Sequence, residues 1–105
     1  RSFSSSPEQV TACGRAVWEQ LLSCGVLPVA KHFPGHGDTA EDSHNRLPVA
    51  KLGPDHLAPF VNAIDRQIPA LMMSHVYYPN ACEAKDLPAS LSSRVIRHLL
   101  RGHLG

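Results

Sequence analysis

The chain has 105 residues, with 10 Lys and Arg against 9 Asp and Glu, and a formal net charge of +1 with neutral histidines. That length holds one domain at most, with less margin for a core than a larger fold has. The near-balanced charge, with basic residues scattered rather than in a run, argues against a nucleic-acid groove or a membrane-surface patch. No apolar stretch reaches membrane-spanning length, and the start RSFSSSPEQV lacks the basic lead and apolar core of a signal peptide.

Cys13, Cys24 and Cys82 are an odd set at unrelated spacings. They read as reduced, core-packing thiols in a reducing compartment, which points to the cytoplasm. Ser6-Pro7-Glu8-Gln9 is a helix start: Ser6 caps, Pro7 suits the first helical position, and Gln9 completes a capping box. Val10, Cys13, Val17, Leu21 and Cys24 then make one apolar face before Gly25, which predicts a helix over 7–24. Residues 26–33 (VLPVAKHF) are short, apolar and β-rich, as a buried parallel strand is where its carboxyl end opens onto a site.

Residues 34–53 form a long polar loop, and loops of that length in compact domains are usually functional. Leu57, Phe60, Val61 and Ile64 give helical spacing, with Pro54 and Pro59 predicting an irregular first turn. Residues 69–78 (PALMMSHVYY) are a second apolar run that turns polar at Ser74 and His75, followed by a loop over 79–90. Ser92 caps a third helix with Val95, Ile96, Leu99 and Leu100 on one face, closing near Gly102. Strands separated by helices imply parallel pairing through right-handed crossovers. Two parallel strands cannot cover themselves on both faces, so the pattern is that of a segment of a larger α/β fold.

The chemistry gathers in residues 31–44, KHFPGHGDTAEDSH, because titratable groups in this density are costly to bury for packing alone. Asp42 and His44 are two apart, so in extended backbone they project to one side. The carboxylate can then orient one imidazole nitrogen and raise the basicity of the other, which makes His44 a general acid/base near neutral pH. Lys31 and His32 close the first strand at its carboxyl end, where parallel α/β folds bind ligands, and His75 holds the matching place on the second. Gly35 and Gly37 let the loop backbone turn sharply. A metal site is the competing reading, since His32, His36, Asp38, Asp42 and His44 carry enough nitrogen and oxygen ligands. Their spacing matches no known metal motif, so the expectation is acid/base chemistry with no metal and no cofactor.

The stretch KHFPGHGDTAEDSHNRLPV resembles the signature of the bacterial β-N-acetylglucosaminidases of glycoside hydrolase family three. The flanks agree: RSF followed by Pro7, Pro59-Phe60, MMSHVYYP over 72–79, PASLS over 88–92, and a helix ending LLRGHLG. The resemblance implies a (β/α)8 TIM barrel, which takes about 250 residues. The chain is therefore expected to be an internal segment with about two parallel strands and three helices. It implies removal of terminal β-linked N-acetylglucosamine from saccharides or cell-wall muropeptides, with retention of configuration and no metal. By the same resemblance His44 is the acid/base and Asp42 its partner, while Lys31, His32, Arg1 and His75 contact the sugar. Glycosidases usually employ two carboxyl groups; a histidine in that role leaves phosphate open beside water as the acceptor.

The family nucleophile, an aspartate on the strand after the LLRGHLG helix, has no counterpart among Asp55, Asp65 and Asp86, so the chain alone is expected to be inactive. Exposed strand edges make self-association its expected behaviour. Three rivals stand beside this reading. The β-glucosidase branch of the family shares the Lys-His-Phe strand end but generally lacks the GHGDT…DSH loop. The others are a non-catalytic carbohydrate-binding or scaffold fragment, and a metal-dependent hydrolase.

Overall fold

A computed structural model describes residues 2–39 and 46–105. Arg1, Asp42 and His44 lie outside the described residues. The chain runs α1 (Pro7–Ser23), β1 (Val29–Phe33), α2 (Pro54–Asp65), β2 (Ala70–Met73), a 3-10 turn at Ala89–Leu91 and a π-helix at Arg94–Leu104. The expected order is present, and β1 pairs with β2 in parallel.

The first helix begins as its sequence dictates, with the Ser6 hydroxyl accepting the Gln9 amide at 3.4 Å and Pro7 in the first helical position. The returning half of the capping box is relayed: the Ser6 amide donates to the Ser4 hydroxyl, which donates to Gln9 Oε1 at 2.5 Å. At the other end Gly25 adopts φ +75°, and the amides of Gly25 and Val26 return to the carbonyls of Leu22 and Leu21. This is a complete Schellman closure. It carries the chain past Val26, and Pro28 offers no amide for a ladder, so β1 starts only at Val29 and not at residue 26. The thiols of Cys13 and Cys24 are exposed rather than core, and only Cys82 is buried.

Pro54 and Pro59 do not disturb the second helix, which is α-helical from Pro54 onward with Pro59 inside it. Pro54 occupies the first helical position, where a missing amide costs nothing. The third helix is wound wider than an α-helix. Val95, Leu99, Leu100 and Leu104 (i, i+4, i+5, i+9) turn inward, with Val95 fully buried, as the i→i+5 bonding of a π-helix requires. Ser92 serves as the expected cap, its hydroxyl accepting the Val95 amide at 3.1 Å.

The core is Phe33, Ala50, Phe60, Val76, Tyr78, Cys82, Ala89 and Val95. Phe33 at the end of β1 meets Phe60 of α2 edge to face, with ring centroids 5.3 Å apart. Such a pair contributes about 0.5–1.5 kcal/mol beyond its area burial. The expected loop over 34–53 is less free than its length suggests. Val49 bridges Tyr77 in parallel, Tyr77 donates to the Pro48 carbonyl at 2.9 Å, and Ala50 donates to the Tyr77 carbonyl at 3.1 Å. The Asn80 side chain extends this pairing, accepting the Leu52 amide at 3.0 Å and donating to the Leu52 carbonyl at 2.8 Å.

Candidate active site

The strand end that carries Lys31 and His32 is shaped by one extra residue. Val29, Ala30 and Lys31 pair with Ala70, Leu71 and Met72 in turn, but Met73 pairs with Phe33, leaving His32 as a bulge. Side chains alternate along a strand, so Phe33 would otherwise share the exposed face of Val29 and Lys31. The bulge turns Phe33 onto the opposite face, where it is fully buried against Phe60. Lys31 remains on the open face with Val29, Ala70 and Met72, and His32 is half-buried between. The peptide bonds between Lys31 and His32 and between Phe33 and Pro34 are both cis.

The two strand ends are joined by the Ser74 amide, which donates to the Phe33 carbonyl at 2.6 Å. His32 precedes one partner of that bond and His75 follows the other, so the bond draws these two candidate residues to one end of the sheet. His75 is exposed, and its Nδ1 lies 2.8 Å from the Ser90 hydroxyl. Ser90 is itself fixed by its amide, which donates to the Ser74 carbonyl at 3.1 Å. The 3-10 turn thus reaches back to the end of β2 and sets the tilt of the His75 ring. Ser90 belongs to the PASLS stretch, but its partnership with His75 spans 15 positions and is not legible in local spacing.

The loop after β1 is held by buried polar groups. The Tyr78 hydroxyl, fully buried, donates to the Gly35 carbonyl and lies 3.3 Å from the Ser74 hydroxyl. Burial pushes the Tyr78 hydroxyl above its ordinary pKa of 10.0, against the opposing pull of Ser74, so it stays a neutral donor. His36 lies over the strand end, its ring centroid 5.6 Å from that of His32, and the Thr39 hydroxyl donates to the His36 carbonyl at 3.3 Å. On the outer side, His56 Nε2 is 3.4 Å from Asp38 Oδ2. Sequence reasoning overlooked both Tyr78 and His56. The only local hint for His56 was its place three residues after Gly53, where a capping side chain belongs.

The described residues therefore bring Lys31, His32, His36 and His75 to one end of the sheet, the end where parallel strands present their ligand sites. Among the described residues no three His, Cys, Asp or Glu side chains gather as a metal site. Nor is any described helix long and apolar enough to cross a membrane.

The model of the glycosyl hydrolase family 3 N-terminal domain matches residues 1–105. A "Beta-hexosaminidase" of Xanthomonas campestris pv. campestris (strain B100) is 40% identical over 110 residues, covering 100% of this chain and 32% of that protein. The structure of a glycoside hydrolase family 3 β-N-acetylglucosaminidase from Paenibacillus sp. str. FPU-7 matches with a TM-score of 0.93 at 44% identity, over 99% of this chain and 20% of that one. NagZ from Neisseria gonorrhoeae, solved in complex with N-trifluoroacetyl-D-glucosamine, matches with a TM-score of 0.87 at 34% identity, over 99% of this chain and 31% of that one. The chain thus spans about a third or less of the proteins it matches. Its two parallel strands and three helices superimpose on one stretch of their barrel domain, as the fold expectation required.

Proposed function

Because this chain belongs to glycosyl hydrolase family 3, as a stretch of its N-terminal domain, we propose that the protein containing it is a retaining β-N-acetylglucosaminidase. Its substrates are saccharides or muropeptides ending in β-linked N-acetylglucosamine, and its acid/base is His44 oriented by Asp42. The observation that carries the reading is the match, at 34–44% identity, to solved β-N-acetylglucosaminidases and to a glucosamine-derivative complex. The strand end supports it: Lys31 on the open face and His32 in the bulge present a cation and a ring to one end of the sheet, where hydroxyl groups of a sugar can be met. His75, steadied by Ser90, and Arg1 complete the proposed sugar contacts.

In this mechanism His44 protonates the departing glycosidic oxygen and then removes a proton from the incoming water, while Asp42 holds its ring. An aspartate on the barrel strand that follows the LLRGHLG helix supplies the nucleophile, and the glycosyl group is held on it between the two steps. No metal enters any step. A reducing, cytoplasmic setting belongs to the same reading, in which Cys13, Cys24 and Cys82 stay free thiols, as they are here.

The deciding experiment is hydrolysis of an aryl N-acetyl-β-glucosaminide by the full-length protein and its His44→Ala variant. The expected result is activity in the parent and a loss of about 10²- to 10⁴-fold in the variant. A parent that ignores this substrate and cleaves an aryl β-glucoside belongs to the glucosidase branch. A parent inactive on both overturns the hydrolytic reading in favour of carbohydrate binding, and activity lost on chelation restores the metal-dependent one.

A further inference from the structure

The loop that leaves β1 is gripped from outside the strand end by a single side chain of α2. We infer that His56 is a positioning residue for this loop, the piece of backbone that joins the Lys31–His32 strand end to the Asp42–His44 segment; the inference rests on the function proposed above.

Three contacts carry it. The first fixes the ring. The His56 amide donates to the Gly53 carbonyl at 3.2 Å, and the Gly53 amide donates back to His56 Nδ1 at 3.2 Å. With Nδ1 accepting, the hydrogen of the neutral ring sits on Nε2. The second contact is steric. Gly35 has φ +143°, and a Cβ placed on it would lie 2.8 Å from His56 Cβ, so the loop backbone rests directly on this residue and has no room for a side chain. The third is polar. Nε2 faces Asp38 Oδ2 at 3.4 Å, and Asp38 is held at φ +61°.

One side chain, itself only 13% exposed, therefore touches the loop at two points three residues apart. Tyr78 holds the Gly35 carbonyl from the core side. The loop is clamped between the two, and His36 is thereby set over His32. Asp38 has no structural need of the contact, since its side chain is 85% exposed and would be solvated without it. What the contact holds is the course of the backbone as far as Thr39, from which the chain continues to the proposed acid/base. A small misplacement there is costly, because an error of about 1 Å in a reacting group can cost up to about a hundredfold in rate.

The test employs the full-length protein, an aryl N-acetyl-β-glucosaminide and thermal melting. Asp38→Ala is expected to lower kcat by about tenfold; alanine also tolerates the φ of +61° less well than aspartate, so kcat is read well below the melting midpoint of the variant. His56→Ala is expected to fall as far, and the double variant no further than the lower single one, because both remove one contact. His56→Gln, whose amide offers an acceptor and a donor from the same first-turn position, is expected to keep most of the rate. Full kcat in Asp38→Ala, or losses that multiply in the double variant, overturns the positioning role. Should His56→Ala fail to fold, Asp38→Ala and His56→Gln decide by the same criteria. His44→Ala separates the two levels: if it keeps activity the proposed function fails, and if it alone loses activity only the role of His56 fails.

Discussion

Glu83 lies outside the candidate site, and its carboxylate closes the head of the C-terminal π-helix. It accepts the Ser92 hydroxyl, the Ser93 amide at 2.7 Å and the Arg94 amide at 3.3 Å. These bonds, that from Ser92 foremost, favour the ionised form and hold its pKa down at about 2, below the ordinary 4.5. A depressed folded value means that the stabilisation is whole above about pH 4.5 and is lost as pH falls toward about 2. Glu83→Gln keeps the shape and removes the charge. Its melting midpoint is expected below that of the parent near about pH 7, with the gap closing through that acid window; a gap independent of pH would show that the charge contributes nothing. Ser92 was legible as a cap because caps sit beside their helix. Glu83 was not, because it reaches the neighbouring amides of Ser93 and Arg94 from 10 and 11 positions upstream across a loop.

Secondary structure was readable where local chemistry decides it and misread where one residue changes the count. Pro7 and Gly25 bracket the first helix within a residue of its expected ends, since proline fixes a helical φ and glycine permits the positive φ that ends the helix. Gly25→Ala should therefore destabilise the protein by about 1–2 kcal/mol, the cost of a left-handed alanine. Beyond its own chain neighbours no heavy atom lies within 4 Å of the added Cβ, so tertiary crowding contributes nothing, and a melting curve unchanged by the substitution would refute the account. The second strand run ends early as a ladder, at Met73, because the chain beyond it pairs with Val49 and with the 3-10 turn instead. The bulge at His32 left no trace in the alternation VAKHF, since only pairing with Met72 and Met73 shows that one residue is extra. The i→i+5 winding of the last helix was hidden for a similar reason: Val95, Leu99 and Leu100 satisfy an α-helical face almost as well.

As a whole, the molecule presents apolar surface that its own elements do not cover. Val29 and Met72 on the open face of the sheet are each 46% exposed, Val17 on α1 is 48% exposed, and Leu27 is 75% exposed. The long motif over 31–48 made the family legible from sequence, and with it the barrel that such faces belong to, because a site's residue types are constrained by chemistry. The placement of Tyr78, Ser90 and His56 around that site was not legible, because it arises from contacts across 43 and 15 positions and, for His56, from the second helix back to Asp38. The isolated chain should show no turnover of an aryl N-acetyl-β-glucosaminide and should sediment as more than a monomer. Measurable hydrolysis by the purified chain would refute the placement of the nucleophile outside it, and a monodisperse monomer would refute the self-association.

The pairing of Pro48, Ala50 and Leu52 with Tyr77 and Asn80 has a bearing on how such a domain changes over evolutionary time. Together with the Tyr78 bond to Gly35, it anchors the chain on both sides of residues 40–45 to the backbone that continues β2. Gly35 on one side and Pro48 on the other are thus held by the scaffold itself. Closure entropy grows only slowly with length, by about 0.6 kcal/mol per doubling. Changes of length there therefore cost the fold little. Drift can vary the length of this segment without first having to rebuild the strand ends that flank it.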